Sequence, residues 1–484
     1  MRLMKLIKIW IYCLATALSL SSAQSRPNIV FIMADDLAWS DVGYQGAEFY
    51  ETPNIDSLAA SGMTFENGYP GAANCLPSRS CIMSGMYAPR TKMYQPGGVA
   101  KGSPEWMRLL VPNTEDREGD GMIQSTTSLN PSTFTLAKLL NGAGYKTVHL
   151  GKWHLGSSGL GFDINDLDGR GAGLEMDSKL YGDKDVAEWI TDAAVSHIEE
   201  SAAKGNKEPF FLYINHWDVH IPLNARANVI EKYQQKLDSK KWSKDWKPVY
   251  AAMVEAVDTS VGRIQKALHD TGLAEDTLII FTSDNGGHAG GTWNDPLRGS
   301  KGSFYEGGIR VPLIMNWAGT IEPGSLCQTP VTGVDYMPTF AELAGAELPS
   351  SQAVDGLSVV PLMKGEPVAE RTIFWHYPLY LHGRTQVKPI YGTDLMRWRT
   401  TPCSVIRKGD WKLMYFFETG TSELYNVRED MREKNDLAAQ YPEKVDRMLK
   451  ELQSWQDETN ADIPTTLNPD FDPDFKYVRA TKAK

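Results

Sequence analysis

The stretch Asn28-Ile29-Val30-Phe31-Ile32-Met33-Ala34 is followed at once by Asp35-Asp36. A run this short and this continuously apolar fits a strand buried on both faces. The same design returns three times. Tyr145-Lys146-Thr147-Val148-His149-Leu150 runs into Gly151-Lys152-Trp153-His154. Phe210-Phe211-Leu212-Tyr213-Ile214 runs on to Asn215, His216, Asp218 and His220, and Thr277-Leu278-Ile279-Ile280-Phe281 ends in Thr282-Ser283-Asp284-Asn285. Helical stretches lie between, as at residues 133–140 and 185–203. Strand then helix, repeated, predicts an α/β fold with a large, mostly parallel sheet sandwiched by helices. In open sheets of this kind ligands bind beyond the carboxyl ends of the strands. Polar residues that only mark solvent would explain one such end, but less well four with complementary chemistry.

Further along, the pattern changes. Ser404-Val405-Ile406-Arg407 and Trp411-Lys412-Leu413-Met414-Tyr415 flank Lys408-Gly409-Asp410, a hairpin signal, and Glu423-Leu424-Tyr425-Asn426-Val427 reads as another strand. Val445, Met448, Leu449, Leu452 and Trp455 recur at helical spacing after Pro442. A smaller C-terminal antiparallel sheet with a packing helix is therefore expected, with the division at residues 24–370 and 371–484. The Pro- and Asp-rich end, from Ala461, is expected to wrap the surface.

At the other terminus, Arg2, Lys5 and Lys8 precede an apolar run from residue 9 to 20, then Ser21-Ser22-Ala23. That is the build of a secretory signal peptide over residues 1–23, so a secreted or periplasmic protein is expected. No later segment is long and apolar enough for a membrane span. Removing the leader leaves Cys75, Cys81, Cys327 and Cys403, far too few for a disulfide scaffold. The net charge is −11 over 484 residues, which argues against nucleic acid as a partner. An anionic substrate would then need a local cluster of Lys, Arg and His to overcome the global sign.

Asp35, Asp36, Asp284 and Asn285 end two of the strands. Three carboxylates and a carboxamide are hard oxygen ligands, suited to Ca²⁺, with Mg²⁺ second, and not to zinc. Carboxylates held this close repel one another, and a cation relieves that. An Asp-Asp pair can equally cap a helix, so the pairing of two such ends carries the reading.

The segment Cys75-Leu76-Pro77-Ser78-Arg79-Ser80-Cys81-Ile82-Met83-Ser84-Gly85 resembles the signature of the formylglycine-dependent sulfatases, in the alkaline phosphatase superfamily. Ser84 stands where that family usually has Thr. The resemblance extends to Gly151-Lys152-Trp153-His154-Leu155-Gly156, to Thr282-Ser283-Asp284-Asn285-Gly286-Gly287, to Leu297-Arg298-Gly299-Ser300-Lys301 and to Tyr305-Glu306-Gly307-Gly308-Ile309-Arg310-Val311-Pro312. Leu424-Tyr425-Asn426 and Asn435-Asp436-Leu437 are similar to its C-terminal subdomain. A chance coincidence of all these in order is negligible.

The resemblance implies that Cys75 is oxidised to formylglycine by a separate enzyme, a formylglycine-generating enzyme or an anaerobic maturase. It implies a sulfuric ester hydrolase whose metal is held by Asp35, Asp36, the matured Cys75, Asp284 and Asn285. A hydrated aldehyde at position 75 has one hydroxyl to attack sulfur and a second through which the bound sulfate is expelled, an exit that an ordinary Ser or Cys lacks. Arg79 would support the nucleophile and the metal ligands, on a helix expected to start near Pro77. Lys152 and Lys301 would hold sulfate oxygens, and His154 would contact the hydrate and take a proton. His220, before Ile221-Pro222, would protonate the leaving alcohol, with His216 as its rival.

Two other classes stay in view. Phosphonate or phosphate ester hydrolases of the same superfamily share the sheet, although the His-rich ligand set of two-metal members is missing here. A non-catalytic carbohydrate-binding relic would not need every catalytic position filled. For the substrate, a sulfated polysaccharide or oligosaccharide is expected, a sulfated galactan such as carrageenan first and a glycosaminoglycan second. Residues 90–130 and 375–399 are polar, aromatic and loop-like, and Trp375, His376, Tyr377, Tyr380, His382, Arg384, Arg397 and Arg399 are candidates to touch sugar or a neighbouring sulfate. Ordinary packing is the competing role for each of them.

Overall fold

The structure, a computed structural model, describes residues 26–96, 104–109, 123, 125–157, 159–165, 186–239, 241–243, 245–382 and 398–474. The expected leader, Arg384 and Arg397 lie outside them. The frame is an eight-stranded sheet in the order Ile164–Asn165, Lys146–Gly151, Phe210–Asn215, Asn28–Ala34, Thr277–Ser283, Leu313–Asn316, Met63–Phe65 and Ser325–Cys327. The first five strands run parallel, and Leu313–Asn316 opposes both its neighbours. The expected mostly parallel sheet is therefore present.

Strand periodicity divides the core. Ile29, Phe31 and Met33 enter one apolar cluster, while Val30, Ile32 and Ala34 enter another on the opposite face. The first face is covered by helices Cys75–Ser84, Leu136–Gly142 and Tyr336–Ala344, and the second by Val186–Ala203 and Pro248–Asp270. Burying one such Ile, Val or Phe contributes roughly 1.5–3 kcal/mol, so two covered faces explain why the strands read as unbroken apolar runs.

Register gathers the strand ends. Gly151 and Met33 both pair with Asn215, and Met33 also pairs with Thr282. The residues that follow, Lys152, Asp35, His216 and Asp284, therefore leave the sheet along one line. Gly151 is required there. Its φ is +92°, and a Cβ would lie 2.0 Å from the Asn215 carbonyl oxygen, which accepts the Lys152 N–H at 2.9 Å.

Two helix starts differ from expectation. The first expected near Pro77 begins at Cys75, because proline is tolerated in a first turn whose N–H groups have no intrahelical acceptor. The helix expected over 133–140 spans Leu136–Gly142, because the Thr135 hydroxyl caps it by accepting the Lys138 N–H.

A second sheet orders Thr372–Tyr377, Cys403–Lys408, Trp411–Phe416 and Thr421–Asn426, all antiparallel. Helix Pro442–Glu458 packs on it, with Trp455 stacked on Phe374 at 4.7 Å between ring centroids. The Pro- and Asp-rich end follows, where Asn468 and Asp472 donate backbone N–H groups to the carbonyls of Arg108 and Glu105. Cys75, Cys81, Cys327 and Cys403 are all free and buried. Among the described residues no helix is long and apolar enough to cross a membrane.

Candidate functional site

The metal-ligand candidates meet at the carboxyl end of the large sheet. Ligand atoms of Asp35, Cys75 and Asp284 lie within 4.8 Å of one another, as do those of Asp35, Asp36 and His220. Asp35, Asp36, Asp284 and Asn285 are fully buried, and Cys75 is 2 % exposed.

The hydrogen bonds leave certain oxygens out. Asp35 Oδ2 accepts from Lys152 Nζ. Asp36 Oδ1 accepts from Asn285 Nδ2 at 2.7 Å and is paired with Lys301 Nζ at 2.6 Å. Asn285 Nδ2 also reaches the Gly286 carbonyl at 2.9 Å, so the donor end of this amide is committed. What remains is Asp35 Oδ1, Asp36 Oδ2 and Asn285 Oδ1, three buried acceptors with no donor. Leaving each unsatisfied costs about 1–3 kcal/mol. A hard dication satisfies all three, so the residues present fit Ca²⁺.

Asp284 is held differently. Its Oδ2 takes a two-pronged contact from Arg79, Nε at 3.0 Å and Nη2 at 2.7 Å, and Arg79 Nη1 donates to the Lys152 carbonyl at 2.9 Å. One guanidinium from the helix that begins at Cys75 thus ties two strand ends together. Lys301 Nζ stands 3.6 Å from Cys75 Sγ, which marks where the nucleophilic oxygen of a matured residue would begin. Lys152 and Lys301 were expected to hold sulfate. In the structure each is paired with a carboxylate, Asp35 and Asp36 respectively.

The charges balance locally. Asp35, Asp36 and Asp284 supply three negative charges, and Arg79, Lys152 and Lys301 three positive ones. Any dication added here makes the pocket net positive by two, which answers the demand set by the overall −11. Burial alone would raise the Asp35 and Asp36 carboxyl pKa values; the charge of Lys152 on Asp35 and of Lys301 on Asp36 outweighs it, and both lie below the usual range. Burial would likewise depress Lys301, but Asp36 outweighs it and the ammonium pKa is raised.

The histidines divide by environment. His154 is pushed down to about 3 by burial, then by Lys152 and Arg79, so it is a neutral ring, and its Nδ1 is buried without a partner. His220 contacts the Ile221 carbonyl through Nδ1 at 2.5 Å, and its Nε2 lies 3.7 Å from Asp36 Oδ2. Its side chain is 29 % exposed, so the site opens at His220 and is dry at the carboxylates. The rival His216 is buried, turned to Ser260 Oγ at 3.0 Å, and lowered to about 4 by burial, as a packing residue would be.

The sugar-contact candidates mostly lie in the core. Trp375, His376, Tyr377 and Tyr380 are buried, bonded in turn to the Pro70 carbonyl, Ser404 Oγ, Gln95 Oε1 and the Leu109 N–H. His382 stacks on Trp106. Arg399 alone of the described candidates reaches the rim, donating to the Lys301 carbonyl at 3.4 Å and meeting His288 Nε2 at 2.9 Å. His288 went unnoticed in the sequence. Its signal was a lone imidazole in Gly286-Gly287-His288-Ala289-Gly290-Gly291, just past Asn285.

The family model described as Sulfatase matches residues 27–346, and one described as N-sulphoglucosamine sulphohydrolase, C-terminal, matches residues 300–458. A sulfatase from Formosa agariphila is 32 % identical, over 93 % of this chain and 92 % of its own. N-acetylgalactosamine-6-sulfatase from Sus scrofa is 30 % identical, over 75 % of this chain and 70 % of its own. The crystal structure of Ps i-CgsB in complex with k-i-k-neocarrahexaose superposes with a TM-score of 0.73 at 28 % identity, covering 92 % of this chain and 95 % of that one.

Proposed function

Because this chain belongs to the sulfatase family and is a sulfuric ester hydrolase, we propose that it desulfates a sulfated polysaccharide or its oligosaccharides with Cys75 matured to formylglycine. The observation that carries this reading is the trio of donor-less buried oxygens, Asp35 Oδ1, Asp36 Oδ2 and Asn285 Oδ1, in the cluster that also holds Cys75. Asp35, Asp36, Asp284, Asn285 and the matured residue 75 would hold Ca²⁺, which when bound would supply positive charge to the nucleophile and the sulfate. The formylglycine hydrate supplies a nucleophilic hydroxyl and a second hydroxyl for release of sulfate.

The chain's own residues do the rest. Arg79 fixes Asp284 and the turn bearing Lys152. Lys152 and Lys301 take sulfate oxygens and the charge that develops on them. His220 faces the solvent-open end and gives a proton from Nε2 to the departing alcohol, a role supported by its 29 % exposure. His154, held neutral by burial and two neighbouring cations, accepts the proton of the hydrate hydroxyl.

A sulfated galactan such as carrageenan comes first as substrate, supported by the neocarrahexaose bound to the similar structure, and a glycosaminoglycan second, supported by the name of the pig relative. Residues 1–23 direct export to a secreted or periplasmic location, a maturase oxidises Cys75, residues 24–370 carry the chemistry and 371–484 form the C-terminal subdomain. Mass spectrometry of the tryptic peptide containing Cys75 is expected to show formylglycine in active protein, and Cys75→Ser to abolish sulfate release with the fold intact. Undiminished turnover by that variant, with its serine unmodified, removes the proposed nucleophile.

A further inference from the structure

Lys301 is placed by backbone bonds on both sides of it. Its own N–H donates to the Gly287 carbonyl at 3.0 Å, just past Asn285. The Gly302 N–H donates to the Ala73 carbonyl at 2.8 Å, just before Cys75. The lysine is thus tied to a strand end that bears metal-ligand candidates and to the start of the helix that carries the nucleophile. From there its ammonium stands 2.6 Å from Asp36 Oδ1 and 3.6 Å from Cys75 Sγ. A lysine stem is long and flexible, so this placement depends on how firmly the loop beneath it is held.

The loop is gripped by the other sheet. Glu423 and Tyr425 lie two apart on strand Thr421–Asn426, so their side chains leave it on the same face. Before the lysine, Arg298 Nη1 donates to Tyr425 Oη at 3.0 Å and to the Glu433 carbonyl at 3.0 Å. Tyr425 Oη in turn donates to Glu423 Oε2 at 2.7 Å. After the lysine, Tyr305 Oη donates to the same Glu423 oxygen at 2.8 Å. The Arg298 guanidinium lies over the Tyr305 ring at 3.8 Å from its centroid, which closes the circuit. Each hydroxyl has one proton to give, and both go to Glu423. The Gly307 N–H returns to the Arg298 carbonyl at 2.7 Å, so the two ends of the loop meet at this grip. Tyr305 and Tyr425 are buried, and Arg298 and Glu423 half-buried.

We propose that Glu423 and Tyr425, acting through Arg298 and Tyr305, are positioning residues for Lys301, so that the C-terminal sheet sets the rate of sulfate transfer without itself meeting the sulfate. This rests on the reading above that Lys301 takes sulfate oxygens. The carboxylate of Glu423 is the common acceptor that holds both ends of the loop. Losing it frees the Arg298 and Tyr305 ends together, and the ammonium drifts from the charge it has to meet in the transition state.

The test measures kcat and KM on 4-nitrophenyl sulfate for wild type, Lys301→Ala, Glu423→Ala, Glu423→Gln and the Lys301→Ala, Glu423→Ala double variant. Each rate is divided by the formylglycine fraction found by mass spectrometry. Lys301→Ala is expected to lower kcat by about a hundredfold or more. Glu423→Ala is expected to lower it by about ten- to a hundredfold, with KM moving much less, since a displacement of about 1 Å suffices. Glu423→Gln keeps an oxygen for both tyrosines and should recover most of that loss. In the Lys301→Ala background, Glu423→Ala should cost less than about twofold, because the lysine it places is gone. Tyr425→Phe, which deletes one oxygen, carries the same cycle if Glu423→Ala does not fold. Losses that multiply in the double variant, or a lowered thermal midpoint with unchanged kcat, overturn the inference. Lys301→Ala with wild-type turnover defeats the sulfate-binding reading of Lys301, and the inference with it.

Discussion

Among the described residues, two buried charge clusters are built to opposite plans. At the strand ends, Asp35, Asp36 and Asn285 leave three oxygens without donors. Where the two sheets meet, Lys412 sits between Glu306 Oε1 at 3.0 Å and Glu433 Oε1 at 2.8 Å. Glu306 Oε2 accepts from Tyr69 at 2.7 Å, and Glu433 Oε2 from the Glu306 N–H at 2.6 Å, so all four carboxylate oxygens are occupied. Burial would raise both acids. Lys412 outweighs it at Glu306, whose pKa is lowered, while burial prevails at Glu433, whose pKa is raised. Two buried acids share one ammonium. Burial and pairing therefore do not distinguish a site from a clamp; unfilled acceptors do.

The largest expected effect is catalytic. Asp36→Asn should lower kcat/KM for sulfate release by about three orders of magnitude or more, since it removes a charge next to the reacting centre. Titrating Ca²⁺ while following the thermal midpoint extends this. At 100 times its Kd the ion adds about 2.7 kcal/mol. The rise should vanish in Asp36→Asn and persist in Lys412→Met. A calcium response that survives in Asp36→Asn would break the contrast.

Next comes the clamp. Lys412→Met strands two acids in the interior and should lower the unfolding free energy by about 3–5 kcal/mol, read from denaturant melts. KM of the folded fraction should not move. A large KM change with unaltered stability would make the clamp part of the site.

The smallest expected effect concerns pH. His376 is lowered to about 4, first by burial, against an ordinary 6.5, so the folded ring stays neutral while the unfolded one protonates. The unfolded state binds more protons between those values. Stability is thus intact above about pH 6.5 and declines as pH falls toward 4, by on the order of 2 kcal/mol for this ring. His376→Gln should flatten that slope in melts between pH 7.5 and 4.5. An unchanged slope would show that other groups govern acid lability.

The open cluster was legible because each member ends an apolar run or sits in a contiguous motif. Asp35-Asp36, Asp284-Asn285 and the segment after Cys75 announce themselves along the chain. The closed cluster was not legible. Glu306, Lys412 and Glu433 are brought together only by docking of one sheet on another, and no local pattern records that. The same ignorance explains the aromatics around residue 377. Their polar tips suggested a sugar platform, yet Trp375, Tyr377 and Tyr380 turn inward, where Pro70, Gln95 and Leu109 satisfy those tips. Helix starts were missed by two or three residues where a proline admitted into the first turn and the Thr135 cap, not the apolar periodicity, set the boundary.

The seclusion of Cys75 has a consequence in time. At 2 % exposure, beside Leu76 in a helix every residue of which is buried, this thiol has no face to offer another protein once the chain has closed. Any enzyme that alters it must act on the nascent strand, before the sheet and its helices assemble. On the proposed mechanism folding is thus a deadline, and a molecule that passes it unaltered keeps the same shape without its nucleophile.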